Sequence, residues 1–321
     1  MAERGRRALT VMGLGVVLAA LIALVVVVIL IASLLRGGGT GGPGPTLPGR
    51  PTAQPADCPD VQVISIPGTW ESSATDSPTA PHANRRSLML QVSGPLQRQY
   101  KTGRATVYTV PYVAQFHNPV AVPPDGQVTY AASRKQGTDR AVAEITRVYK
   151  HCPLTGFVLM GFSQGATIAG NIASDIGNAR GPIPAENVLG VGLVSDSRRV
   201  QGEAKAIGPD PEGQGVEILF GGLSLMGVDL QGKRDGAFGT LAARTVSICG
   251  SRDPICNEPD RPLNPLNIVG NVTQLASVLT MNSHALYGTT SDWQLGGQTA
   301  PRWLLGWARG LIDAAPTPKH N

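Results

Sequence analysis

The stretch Phe157-Val158-Leu159-Met160-Gly161-Phe162-Ser163-Gln164-Gly165-Ala166-Thr167-Ile168-Ala169 decides how this chain folds. A short apolar run, the mark of a buried strand, ends in Gly-Phe-Ser-Gln-Gly, and a helical pattern opens immediately after it. Strand, sharp turn and helix with a central serine is the setting of a nucleophile elbow. The turn pushes the Ser163 hydroxyl into the open, and Gly161 and Gly165 remove Cβ atoms where strand and helix backbones crowd it. Gln164 is the first helical residue, so its backbone N–H has no intrahelical acceptor and is free to meet an oxyanion.

A serine nucleophile needs a base to take its proton and a carboxylate to orient that base. In the hydrolase order Ser, Asp/Glu, His, only His284 and His320 follow Ser163 as histidines, and His320 is the penultimate residue of a Pro-containing tail. His284, in Asn282-Ser283-His284-Ala285-Leu286-Tyr287, is therefore the expected base. Of the aspartates after the elbow, Asp253 stands out because it follows the predicted strand 244–248 within Cys249-Gly250-Ser251-Arg252-Asp253-Pro254-Ile255-Cys256. Asp196, which follows a buried strand, is its main rival. The second oxyanion donor belongs on a loop after an early strand. Ile66-Pro67-Gly68-Thr69-Trp70-Glu71 offers the Thr69 N–H, although Pro-Gly-Thr is also an ordinary turn.

Around the elbow, apolar strands and amphipathic helices alternate. Strands are predicted at 61–66, 106–110, 156–160, 187–194 and 244–248. Helices are predicted at 84–99, 130–150, 164–176, 263–279 and 302–314. Continuous Val/Ile/Leu strands separated by helices predict a mostly parallel central sheet covered on both faces. Residues 197–243 break the alternation and read either as a surface insertion near the site or as an extra hairpin.

Composition narrows the function. Charged residues are 15% of the 321-residue chain, and Gly and Pro number 40 and 26, so the chain is loop-rich without being disordered. The net charge of +5 includes Arg4, Arg6, Arg7 and Arg36, which flank an apolar segment, and aromatics are only 5%. With no basic cluster carrying interleaved aromatics, nucleic-acid binding is not expected. Residues 8–35 carry no charge; as a helix they would span about 42 Å, more than the ~30 Å hydrocarbon core requires. The run is about twice as long as the apolar core of a signal peptide and ends in a poor cleavage site. It reads as an uncleaved signal anchor, with a long signal peptide as the alternative. Three arginines before the span against one after it place residues 1–7 in the cytoplasm and the rest outside.

Residues 36–57, rich in Gly and Pro, are expected to be a flexible tether. The globular domain is expected at 58–315, followed by a tail at 316–321. Four cysteines, Cys58, Cys152, Cys249 and Cys256, suggest two disulfides in an exported domain. Three connectivities are open; the short spacing of Cys249 and Cys256 favours a small loop there, and hence Cys58–Cys152. No Cys-x-x-Cys spacing exists and the histidines are scattered, so no zinc site is expected.

Gly-Phe-Ser163-Gln-Gly-Ala, Cys-x3-Asp253-x2-Cys and His284-x2-Tyr287 together resemble the cutinase family. Upstream, Tyr130, Ser133 and Gly137 precede a helix ending in Cys152-Pro153, as in that family's approach to its elbow. The resemblance covers roughly residues 58–287. It implies an α/β-hydrolase with two disulfides and a Ser163–His284–Asp253 triad. The oxyanion hole it implies is built from Gln164 and from the Ser/Thr after Gly in the first loop, here Thr69. Three features depart from secreted fungal-type members: the anchor and tether, Pro-Gly-Thr-Trp-Glu in place of Arg-Gly-Ser/Thr, and the long 197–243 segment. In these the chain looks more like membrane-anchored cutinase-like lipases of mycobacteria and their relatives. The resemblance thus implies a monomeric envelope enzyme that hydrolyses lipid acyl esters or thioesters with no metal or organic cofactor. An acyltransferase using the same triad is the alternative, followed by a non-catalytic lipid-binding protein.

Overall fold

Five of the six strands of the central sheet are the apolar runs picked out by the sequence. The computed structural model describes residues 51–118, 122–219, 221, 222, 224, 225, 228–258 and 282–321. In chain order the strands are β1 (Ala53–Gln54), β2 (Val61–Ile66), β3 (Ala105–Thr109), β4 (Gly156–Phe162), β5 (Val188–Val194), β6 (Lys205–Ala206), β7 (Ser224–Leu225), β8 (Val228–Asp229), β9 (Thr245–Ile248) and β10 (Lys319–His320). The central sheet has the order β3-β2-β4-β5-β9-β6, and every pairing in it is parallel.

Among the described residues, four helices cover this sheet: α1 (Leu90–Gln99), α2 (Tyr130–His151), α3 (Gln164–Gly177) and, near the C-terminus, Ala300–Ala314. The strand period of two sorts their side chains between two cores. From β2 and β4, Ile64, Ile66, Phe157 and Leu159 join Ala141, Ile145, Ile168 and Ile172 of α2 and α3 on one face. Val61, Val63, Val158 and Met160 join Val92 and Leu96 of α1 and Leu304, Ala308 and Ile312 of the C-terminal helix on the other. A parallel sheet buried on both faces explains why its strands read as unbroken apolar runs.

The structure departs from the sequence reading in three places. The helix predicted from residue 84 begins only at Leu90. The residues before it spend their polar groups elsewhere. Asn84 Nδ2 donates to the Trp70 carbonyl, Asn84 Oδ1 accepts from Arg86 N–H, and the Glu71 carboxylate accepts from Leu88 N–H. The 197–243 segment is neither insertion nor hairpin alone. It supplies the edge strand β6, a single helical turn at Val216–Leu219, the antiparallel pair β7–β8 and the 3-10 turn Gly239–Arg244. The compact unit reaches from Pro51 to Asn321, beyond the expected limits of 58 and 315. Residues assigned to tether and tail pair in parallel, Ala53 with Lys319 and Gln54 with His320.

Both disulfides form, Cys58–Cys152 and Cys249–Cys256. The predicted anchor at 8–35 and the predicted helix at 263–279 lie outside the described residues. Among the described residues, no helix is long and apolar enough to cross a membrane.

Candidate active site

Ser163 sits at the C-terminal end of central strand β4 with φ 55° and ψ −123°, a left-handed backbone that a residue with a Cβ rarely adopts. The glycines on either side make the turn feasible. A Cβ on Gly161 would lie 2.1 Å from the Gly165 carbonyl oxygen, and one on Gly165 would lie 2.1 Å from that of Ile66. Gly165 therefore lets helix α3 start against the loop that leaves β2. The first bond of α3 runs from Thr167 N–H to the Ser163 carbonyl, which leaves the Gln164 N–H among the helix's unpaired first-turn donors.

His284 reaches the serine from the 3-10 segment Asn282–Gly288: its Nε2 lies 2.8 Å from Ser163 Oγ. On the other side of the ring, Nδ1 is 3.1 Å from both Asp253 carboxylate oxygens. Phe162, the residue before the serine, stacks on the His284 ring with centroids 5.1 Å apart and planes 19° apart. The elbow thus presents the candidate nucleophile and also supports the ring that would activate it.

Asp253 is wholly buried in the loop closed by Cys249–Cys256. Its Oδ1 accepts from Ile255 N–H at 3.0 Å, and its Oδ2 accepts from Ser195 Oγ at 2.5 Å and Tyr287 Oη at 2.7 Å. Burial pushes this carboxyl up, but the neighbouring His284 charge and the hydrogen bonds from His284, Ser195 and Tyr287 outweigh it and hold it below the usual aspartate value. The Tyr287 phenol is pushed well above its ordinary value of 10.0 by burial and by the Asp253 charge, so it remains a donor. Its oxygen also accepts from Gly250 N–H at 2.8 Å, tying the His284 segment to the Asp253 loop.

The rival carboxylate is committed elsewhere. Asp196 receives two bonds from the Arg234 guanidinium, at 2.6 and 2.8 Å, with both side chains almost fully buried. Thr69 lies on the loop after β2, and Glu71 holds that loop by accepting from Gly68 N–H at 3.0 Å, Ser87 Oγ at 2.9 Å and Leu88 N–H at 2.6 Å. A Cβ on Gly68 would come within 2.8 Å of the Phe162 ring, so the loop rests directly on the elbow.

Ser163, Gln164, His284 and Thr69 all open onto one cavity of about 440 Å³. Its apolar lining includes Leu88, Phe116, Val216, Leu230 and Ile255, and its polar lining includes Glu217. Glu217 is satisfied by Tyr130 Oη, Ser197 Oγ, Arg134 and the Gln231 N–H. The 197–243 segment therefore builds part of the cavity.

Ser195, Glu71 and Phe162 are site residues that sequence reasoning missed, and Tyr287 was read only as part of a motif. A serine directly after an apolar strand and a glutamate in a turn carry no distinguishing signal. His284-x2-Tyr287 was the one spacing that pointed to the tyrosine.

A serine, histidine and buried aspartate in line at the strand ends of a parallel sheet are the arrangement of the α/β-hydrolase fold. The family model for Cutinase matches residues 57–265, and this chain belongs to the cutinase family. It is 40% identical over 284 residues to a Corynebacterium glutamicum protein named Carboxylesterase Culp6 homolog, covering 86% of this chain and 88% of that one. It is 28% identical over 224 residues to Carboxylesterase Culp1 of Mycobacterium tuberculosis, covering 70% of this chain and 77% of that one. Among solved structures, the catalytic core domain of acetyl xylan esterase from Trichoderma reesei superposes with a TM-score of 0.50 at 19% identity. That match covers 81% of this chain and all of the other, and at this identity it speaks to the fold alone.

Proposed function

We propose that this enzyme is a Ser–His–Asp esterase that cleaves lipid acyl esters or thioesters at the cell envelope, held there by residues 8–35 with the N-terminus in the cytoplasm. The observation that carries the catalytic part is the continuous chain Ser163 Oγ, His284 Nε2, His284 Nδ1 and Asp253, with contacts of 2.8 and 3.1 Å. In this reading His284 takes the Ser163 proton as the hydroxyl attacks the acyl carbonyl. The oxyanion is met by the N–H groups of Gln164 and Thr69. His284 then returns the proton to the leaving alcohol or thiol, and water releases the acyl group by the same steps in reverse roles. Loss of one oxyanion donor typically costs about 10²–10³ in kcat.

The apolar lining of the cavity supports an acyl chain as the bound group, and the long uncharged run of residues 8–35 supports the envelope location. The test is turnover of a short p-nitrophenyl ester by the full chain in detergent, followed by a panel of phospholipids, acylglycerols and acyl thioesters. Ser163→Ala is expected to lower kcat by roughly 10³-fold or more with the fold intact. Full turnover by that variant contradicts the triad, and an enzyme active on water-soluble short esters alone contradicts the lipid assignment.

A further inference from the structure

The ends of two neighbouring strands carry the same local device. Ser163 follows β4 and Ser195 follows β5, and both have φ 55°. Ser163 N–H donates to the Val194 carbonyl and Ser195 N–H to that of Ile248, each at 2.9 Å, so each serine is pinned to the next strand of the sheet. A left-handed residue with a Cβ is disfavoured relative to glycine and persists where its surroundings over-determine it. Ser195 is wholly buried, and the mechanism above gives it no part.

Its hydroxyl lies between the two groups that assist the nucleophile. Ser195 Oγ is 2.5 Å from Asp253 Oδ2 and 3.2 Å from His284 Nδ1. An ionised carboxylate only accepts, so the one hydroxyl proton points to Asp253, and the oxygen lone pairs are left facing the imidazole. For His284 Nε2 to accept the Ser163 proton, the neutral ring must carry its own proton on Nδ1. That N–H then faces three oxygens, two from Asp253 and one from Ser195. When the ring gains its second proton, the negative end of the hydroxyl dipole lies against the new positive charge.

We infer that Ser195 is a positioning residue for the acid–base pair: with Tyr287 it holds Asp253 Oδ2, and it turns its oxygen toward the His284 Nδ1–H. The inference rests on the catalytic reading of Ser163, His284 and Asp253. Packing does not require this residue. Alanine fits the same space and glycine suits the backbone better, yet neither supplies a donor.

The test compares Ser195→Ala with Ser195→Gly in the full chain. Thermal melts, kcat and KM on a short p-nitrophenyl ester, and labelling by a fluorophosphonate are measured, with Ser163→Ala as control. Both Ser195 variants are expected to lose roughly tenfold or more in kcat, the scale of one hydrogen bond to a charged group, with KM within about twofold. The glycine variant is expected to melt no lower than the alanine variant, because it relieves the left-handed backbone. Wild-type kcat in either folded variant overturns the inference. So does a loss in alanine that glycine restores, which would assign the effect to backbone strain, and so does a change confined to KM. If the alanine variant does not fold, the glycine variant decides. If Ser163→Ala keeps turnover and labelling, the catalytic reading falls and takes this inference with it. If Ser163→Ala loses both, the Ser195 variants decide alone.

Discussion

At the scale of single residues, the site is a relay of short contacts whose strength depends on burial. In the proposed triad Asp253 must be ionised and aimed at His284: the His284 charge and the hydrogen bonds together outweigh its burial, and the Ser195, Tyr287 and Ile255 donors fix its direction. Tyr287→Phe removes the 2.7 Å bond to Asp253 Oδ2 and leaves the Gly250 N–H without its acceptor. Hydrogen bonds to charged groups contribute about 1.5–3 kcal/mol, so kcat is expected to fall about tenfold or more with KM little changed. Steady-state kinetics on a p-nitrophenyl ester check this, and an unchanged kcat assigns Tyr287 to packing. Ser163, Asp253 and His284, which the structure brings into contact, were legible because the elbow pattern singles out one serine, histidines after it are scarce, and Asp253 lies between two cysteines after a predicted strand. Ser195 was not. It stands beside Asp196, the more conspicuous polar residue after β5, and only the fold shows that Asp196 turns to Arg234 while Ser195 turns to the triad.

At the scale of elements, the Asp253 loop and the cavity-lining 197–243 segment each have a fastening of their own. The Cys249–Cys256 bridge closes a loop with a sequence separation of 7 around Asp253. By chain entropy such a closure is worth about 2 kcal/mol. In the double variant Cys249→Ser with Cys256→Ser, kcat is expected to fall severalfold while the sheet keeps its circular-dichroism spectrum. Wild-type kcat from that variant would show the bridge to be irrelevant to Asp253. The second fastening is the Arg234–Asp196 pair, which docks the 197–243 segment beside the end of β5. Arg234→Met strands a buried carboxylate, so a destabilisation of about 3–5 kcal/mol is expected in chemical denaturation. KM for a long-chain ester is expected to rise as well, since Leu230 and Glu217 of that segment line the cavity. Five central strands were legible as apolar runs between turn signals and the helices near 130–150, 164–176 and 302–314 from their spacing, whereas β6 and the short elements of 197–243 were not. The 84–89 segment was not, because its helical spacing lost to a local turn in which Asn84 accepts from Arg86 N–H and to the bond from Leu88 N–H to Glu71, a partner 17 residues away.

At the scale of the whole molecule, the ends of the folded unit are clasped. His320 Nε2 is 2.9 Å from Asp60 Oδ1, beside the β1–β10 pairing, and Arg104 holds the other Asp60 oxygen at 2.9 Å. The bond to Asp60 and a backbone bond to Pro55 raise the His320 value above the ordinary 6.5. A raised histidine contributes fully below its unfolded value, and the contribution is lost as pH rises through the folded one. Amide exchange at Asn321, whose N–H donates to the Gln54 carbonyl, is therefore expected to lose protection as pH rises above about 6.5, after correction for the intrinsic rate. His320→Ala is expected to remove that dependence, and an unchanged pH dependence in the variant would assign it to another group.

The nucleophile remains the claim on which the functional reading depends. It is tested most directly by reacting the full chain with a fluorophosphonate and mapping the adduct by mass spectrometry alongside residual esterase activity. One phosphonyl group on Ser163, formed in step with loss of turnover and absent from Ser163→Ala, is the expected result. An adduct on another residue, or turnover that survives complete labelling of Ser163, would contradict it.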